Sequence, residues 1–160
     1  MSVAFRRDSD EEHLEPRFEI PIPAGPNLVT GTGFAETEAM VSQLAAQVRL
    51  LETRGTADDM ELGLAKRELR YWRTRLATAC IAPPPPEGEV AFGARVVFSL
   101  SGVKRTIEIV GDDEAAPAEG RIAFSAPLAR AMMGAGLGDF ADFAGQPDAI
   151  EIIEVSAIPG

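Results

Sequence analysis

At 160 residues and 46% hydrophobic composition, the chain can bury one ordinary core, or two small ones with a helical element between them. Its formal charge of −10 and pI of about 4.6 exclude a protein that grips nucleic acid by general electrostatics, which needs clustered positive charge. The single cysteine, Cys80, excludes an intramolecular disulfide framework and a multi-cysteine metal site.

Residues 1–26 set Arg6, Arg7 and Arg17 against six acids and carry five prolines or glycines in and around "PIPAGP". Such a stretch has little core of its own and reads as an extended or disordered tail. It lacks the apolar run of a signal peptide, and no later segment approaches a membrane span. The chain is therefore expected to be cytoplasmic, with no membrane partner and no independent DNA binding.

Residues 27–82 balance seven acids against seven bases. Phe34, Thr37, Val41, Leu44, Val48 and Leu51 recur in alternating steps of three and four, which is a coiled-coil seam. The alternation resumes at Leu62, Ala65, Leu69, Trp72, Leu76 and Ala79. Two such seams joined by a short loop close most simply as an antiparallel hairpin, with each arm of about twenty residues ~30 Å long. Arg54, Gly55 and Thr56 form the turn, and Thr56 followed by Asp59 has the spacing of a helix cap. Asp58, Asp59 and Glu61 then stand at the far end of the rod. Two readings fit these acids: complements to the helix dipole, at ~0.3–1 kcal/mol each, or a cluster with chemistry to perform. Lys66, Arg67, Arg70, Arg73 and Arg75 make the return arm basic, either as a solvated helix face or as a contact surface. The same helix is expected to hold Cys80, where a lone thiol packs rather than reacts.

At "PPPPEG", Pro83 to Gly88, four prolines end the helix and favour an extended spacer. Composition changes there too, because residues 83–160 carry twelve acids against five bases. This divides the chain into a tail (1–26), a coiled-coil hairpin (27–82) and a β-rich domain (83–160). "ARVVFSL" and "KRTIEIV" read as strands joined through Ser101–Gly102. "RIAFS" follows as a third strand, "PLARAMMG" as a short helix with Pro127 at its start, and "DFADF" and "AIEIIEVSAI" as further strands. The expected class is α+β: a helical hairpin, then a small antiparallel sheet with one short helix. Gly111, Gly120, Gly134, Gly136 and Gly138 match no phosphate-binding pattern and read as turns.

"VAFGARVVFSL", "IEIVGDDEA", "EGRIAFSAPLARAMMGAGLGD" and "IEIIEVSAI" resemble the C-terminal domain of the GreA/GreB transcript-cleavage factors, in which an FKBP-like fold follows a coiled-coil hairpin. "NLVTGTG", Asn27 to Gly33, is similar to the entry into that family's first helix. The resemblance implies that the C-terminal domain docks on RNA polymerase beside its secondary channel, with Arg130 and Leu128 as helix positions near the docking surface, or Leu128 in the core. It implies that the hairpin enters the channel, with Lys66, Arg67, Arg70 and Arg73 facing the channel or nascent RNA. Tip carboxylates would help hold the polymerase's catalytic Mg²⁺, an ion that takes oxygen ligands. No intrinsic cofactor or metal is implied, and the chain is not itself an enzyme.

Two departures from the family pattern bear on cleavage. Each arm is shorter than in typical GreA by roughly nine residues, or ~13 Å of helix, while a cation is coordinated at ~2.0–2.6 Å. Aligned on Lys66, Asp58 falls on the family's tip Glu and leaves Gly55 or Thr56 opposite its Asp. A shortened hairpin also marks Rnk-like relatives, which bind polymerase without promoting cleavage. The resemblance therefore implies an elongation regulator that occupies the channel without strong cleavage. The alternatives are a cleavage-competent Gre factor, or an interaction module acting on another cytoplasmic partner such as nucleoside diphosphate kinase. A prolyl isomerase is disfavoured, because Phe92, Phe98, Phe124, Phe140 and Phe143 fall mostly in strand patterns as core. No Ser/His/Asp set is available, since His13, the only histidine, lies in the tail.

Overall fold

A computed structural model of the chain describes residues 19–54 and 59–159. Most of the N-terminal tail, the Gly55–Thr56 turn, Asp58 and the side chain of Asp59 lie outside the described residues. The chain runs β1 (Leu28–Val29), α1 (Gly31–Arg54), α2 (Asp59–Thr78), β2 (Cys80–Ile81), β3 (Ala94–Leu100), β4 (Val103–Val110), two 3₁₀ turns (Asp112–Glu114, Pro117–Glu119), β5 (Arg121–Ala123), α3 (Pro127–Met132), β6 (Phe140–Phe143) and β7 (Gln146–Ala157). Helical hairpin and mostly antiparallel sheet together make the α+β class expected from the sequence. Contacts group the described residues into two units, one holding Thr37–Ala77 with residues 19–22, the other Pro23–Glu36 with residues 78–159. The ends of the 27–82 segment thus group with the sheet.

In the helical unit the two seams meet. Leu44 and Val48 of α1 and Ala65 and Leu69 of α2 are buried together, flanked by Met40, Val41, Ala45, Leu51, Leu62 and Trp72. The helices of 24 and 20 residues are ~36 and ~30 Å long at 1.5 Å per residue.

In the β unit, β1 and β2 pair in parallel, Leu28 with Cys80 and Val29 with Ile81. Cys80 is therefore in a strand and exposed, not in the helix expected from the seam, because α2 ends at Thr78 and the chain extends to meet β1. Asn27 Nδ2 donates to Thr78 Oγ1 at 3.1 Å, so the residues before α1 are bonded to the last residue of α2.

The main sheet has the order β5-β4-β3-β7-β6. Ser101 and Gly102 both take positive φ, 49° and 84°, as a two-residue hairpin turn between right-twisted strands requires. Ala94, Val96 and Phe98 alternate inward and are fully buried, with Val96 opposite Ile107. They pack with Ile109, Ile150, Ile152 and the α3 residues Ala129 and Met132. The register with β7 shifts between Val97 and Phe98. The doubled isoleucine of "IEIIEV" explains it, because two residues cannot both take the inward position: Ile152 is buried and Ile153 is 39% exposed. One pairing departs from the antiparallel expectation, since β5 lies parallel to β4. The segment between them is long enough to return the chain to the same end.

The start of α1 is held by an unusual cap. Thr30 is its N-cap: Gly33 N–H donates to Thr30 Oγ1 at 3.0 Å, satisfying a donor that the helix leaves open. In a capping box the third helical residue would return a carboxylate to the cap's own N–H. That residue is Gly33. Glu114, 84 residues further on, supplies the carboxylate instead: its Oε2 accepts from Thr30 N–H at 3.0 Å and its Oε1 from the Thr30 hydroxyl. Gly111 N–H donates to the same Oε2 at 3.0 Å. A Cβ on Gly33 would stand 2.2 Å from the Glu114 carboxyl carbon, and one on Gly111 2.5 Å from the Leu28 carbonyl oxygen. Gly111, read as a turn residue, is therefore required for space; its φ is an ordinary −72°.

Thr30→Ala should lower stability by about 1–2 kcal/mol and Glu114→Ala by about 1–3 kcal/mol, since two backbone donors lose their acceptor. In urea unfolding the double substitution should cost clearly less than the sum of the singles. Strict additivity would mean that the two side chains do not act as one cap.

Candidate functional site

Glu61 is exposed in the first turn of α2, and Asp59 begins that helix. Among the described residues no group of three or more His, Cys, Asp or Glu side chains is placed to hold a metal ion.

Along α2 the cations do different things. Lys66 Nζ lies 3.4 Å from Glu52 Oε1 on α1, an ion pair that bridges the two helices. Arg67 is half-buried and Arg73 exposed. Arg75 is only 2% exposed, so it does not belong to the solvated basic face assigned from the charge pattern. It sits three residues past Trp72 and next to Leu76, at the edge of the seam. Arg49, Lys66, Arg70 and Arg73, with Glu52, line a groove of about 400 Å³ floored by Ala45, Val48 and Leu69. Four cations around an apolar floor suit a ligand that is anionic at its edge and flat or apolar at its centre.

Arg70 is taken by a residue from outside the hairpin. Its Nη2 donates to Glu19 Oε1 at 2.7 Å and its Nε reaches both carboxylate oxygens at 3.1 Å. The hydrogen bond from Arg70 holds the Glu19 carboxyl below its ordinary value, opposed by desolvation and reinforced by the Arg70 and Arg67 charges. The same hydrogen bond raises Arg70. Sequence reasoning missed Glu19; the only signal was an isolated acid in the otherwise apolar "FEIPIPAGP".

In the β unit, Arg130 is exposed on α3, whereas Leu128 is half-buried and packs on the core. Just before that helix, Ser125 Oγ donates to Asp112 Oδ1 at 2.5 Å, joining the approach to α3 to the 3₁₀ turn that carries Glu114. Of the five phenylalanines in residues 83–160, Phe98 is fully buried, and Phe92 and Phe124 meet edge to face at 5.4 Å. Phe140 is the exception to the expectation that they are core, at 57% exposed: β6 is an edge strand and Phe140 pairs with outward-facing Glu151. Among the described residues no helix is long and apolar enough to cross a membrane.

Residues 85–157 match the family model described as "Transcription elongation factor, GreA/GreB, C-term". A transcription elongation factor GreA of Psychrobacter arcticus is 31% identical over 132 residues, covering 69% of this chain and 84% of that protein. A GreA of Methylococcus capsulatus is 47% identical over 58 residues, 35% of this chain and 37% of that protein. In this and two other GreA matches the chain spans about a third of the relative's length. Among solved structures, a GreA/GreB factor from Nitrosomonas europaea is 19% identical, with 83% of this chain and 99% of that one covered at a TM-score of 0.38.

The Glu19 carboxyl should titrate below its ordinary 4.5. The sign is that of a depressed acid: any stability from the pair is present above the ordinary value and lost as pH falls through the lowered one. A carbon-13 titration of the Glu19 side chain should show the low midpoint, and Arg70→Gln should return it toward 4.5. An unchanged midpoint in Arg70→Gln would dissociate the shift from the pair.

Proposed function

This chain belongs to the GreA/GreB family of transcription elongation factors, and from that membership we propose that it binds RNA polymerase and offers its helical hairpin to the secondary channel without strongly stimulating transcript cleavage. The observation that carries the polymerase reading is the match across 84% of a GreA. Occupancy needs a rod, and a closed seam between α1 and α2 supplies one.

Weak cleavage follows from reach. Coordination falls off within a fraction of an ångström of ~2.0–2.6 Å, so a rod lacking several ångströms cannot bring Asp58, Asp59 or Glu61 to the metal if its body docks as in longer relatives. Attraction across a water-filled gap cannot replace coordination, because water reduces the Coulomb energy at a few ångströms to ~1 kcal/mol. On this reading the chain holds no cofactor, and any Mg²⁺ belongs to the polymerase. Lys66, Arg67, Arg70 and Arg73 face the channel or nascent RNA. Arg130, exposed on α3, contributes to docking, while Leu128 supports that helix from its inner side.

Polymerase stalled in a backtracked complex tests the cleavage half. The chain added alone should leave the RNA intact, and added with a cleavage-competent factor it should inhibit that factor. Rapid RNA shortening that disappears in Asp58→Ala or Glu61→Ala would overturn the reach argument and restore a full cleavage mechanism. Capture of nucleoside diphosphate kinase and not polymerase from extract would replace the whole reading.

The basic arm has its own test. Reversing Arg67, Arg70 and Arg73 to Glu should weaken polymerase binding far more at low salt than at high, because exposed charges are screened over ~8–10 Å at physiological ionic strength. A loss independent of salt would point to a damaged coiled coil.

A further inference from the structure

Arg70 stands where two grooves of the helical unit meet. One is the cationic groove it shares with Arg49, Lys66 and Arg73. The other, of about 450 Å³, is walled by Glu19, Ile20 and Ile22 on one side and by Arg70, Tyr71, Arg73 and Thr74 on the other. The segment just ahead of the β unit therefore lies along α2, with its one acid on Arg70, which with Arg73 is common to both grooves. Its grip is two-pronged, with Nε and Nη2 both engaged. Thr74 Oγ1 donates to the Arg70 carbonyl at 3.0 Å, which places a second polar side chain one turn along the same strip.

We propose that Glu19–Ile22 is an intramolecular cover for the basic groove, its carboxylate holding Arg70 until the phosphates of single-stranded RNA displace it. The inference rests on reading the basic arm as a contact surface. RNA is the occupant that the groove favours: phosphates match Arg49 and Arg73 and compete with Glu52 and Glu19 for Lys66 and Arg70, and a base is a flat apolar body for the floor of Ala45, Val48 and Leu69. The cover can yield, because both partners are half exposed or more, 52% for Arg70 and 60% for Glu19, and exposed pairs are weak. It can also compete, because a tethered carboxylate acts at a high effective concentration without needing affinity of its own. A groove closed part of the time loses apparent affinity in proportion to the closed fraction. The chain's overall charge of −10 works in the same direction, so the groove opens only where phosphate is locally dense.

The test measures anisotropy of a short fluorescein-labelled oligouridylate with the full-length chain. Glu19→Gln, which keeps shape and removes charge, should tighten binding by about 2- to 5-fold at low salt, the range set by a weak exposed pair, and the gain should vanish near ~0.5 M salt. In an Arg70→Gln background the same substitution should change nothing. An equal gain in that background would reduce the effect to net charge and overturn the cover, as would no gain at all, or no oligouridylate binding even by Glu19→Gln. Polymerase binding measured in parallel separates the two readings. A chain that binds polymerase but shows no Glu19 effect loses only the cover. One that shows the Glu19 effect but binds no polymerase loses only the proposed function.

Discussion

The carboxylate of Glu114 does for α1 what the helix cannot do for itself. A helix that begins Gly31-Thr32-Gly33 has poor propensity in its first turn and, with glycine at the third position, no side chain to complete its own cap. Thr30 supplies half of the cap and Glu114 the other half. A methyl group on Gly33 would occupy the space of the carboxylate, and one on Gly111 would press on both the carboxylate and the Leu28 carbonyl. The first turn of the longest helix thereby belongs, by its bonds, to the unit built around the sheet. Everything the hairpin does begins from a turn whose acceptor comes from the second half of the chain.

Beyond that first turn the hairpin relies on a narrow apolar seam and on selective neutralisation of its charges. Leu44, Val48, Ala65 and Leu69 form its buried hydrophobic cluster among the described residues. A seam that narrow leaves most of each helix wet, and the charges are partitioned accordingly. Lys66 is matched across the hairpin by Glu52 and Arg70 by Glu19, while Arg75 is drawn inside. The net balance of residues 27–82 conceals this, because seven acids and seven bases cancel in a count and not in space.

Periodicity made most of the architecture legible. The alternating steps from Phe34 to Leu51 and from Leu62 to Leu76 placed both helices, and "ARVVFSL" matched β3 residue for residue. What escaped was of two physical kinds. Elements of two residues, β1 and β2, are too short to show a period, so Cys80 was absorbed into the helix before it; β5 was legible as a strand in "RIAFS", but its parallel pairing was not. Side chains whose partners lie far away in sequence were equally hidden: Glu114 reaches Thr30 across 84 residues and Glu19 reaches Arg70 across 51. Glu114 had a trace, an acid three residues after Gly111 in "GDDE". For Arg75 the charge pattern pointed the wrong way, because a basic residue on a basic face is assumed to be solvated until its place beside the seam residues Trp72 and Leu76 is counted.

The parallel pairing of Leu28–Val29 with Cys80–Ile81 has an evolutionary corollary. It seals the base of the hairpin independently of whatever lies between, so the intervening chain is free to change in length. Seven residues added to or removed from both arms would leave the seam in phase and the base untouched. Lineages could therefore tune how far such a rod extends by paired insertions and deletions at its free end, without reworking the sheet. Reach, in this fold, is an adjustable trait, separable from the surface that carries it.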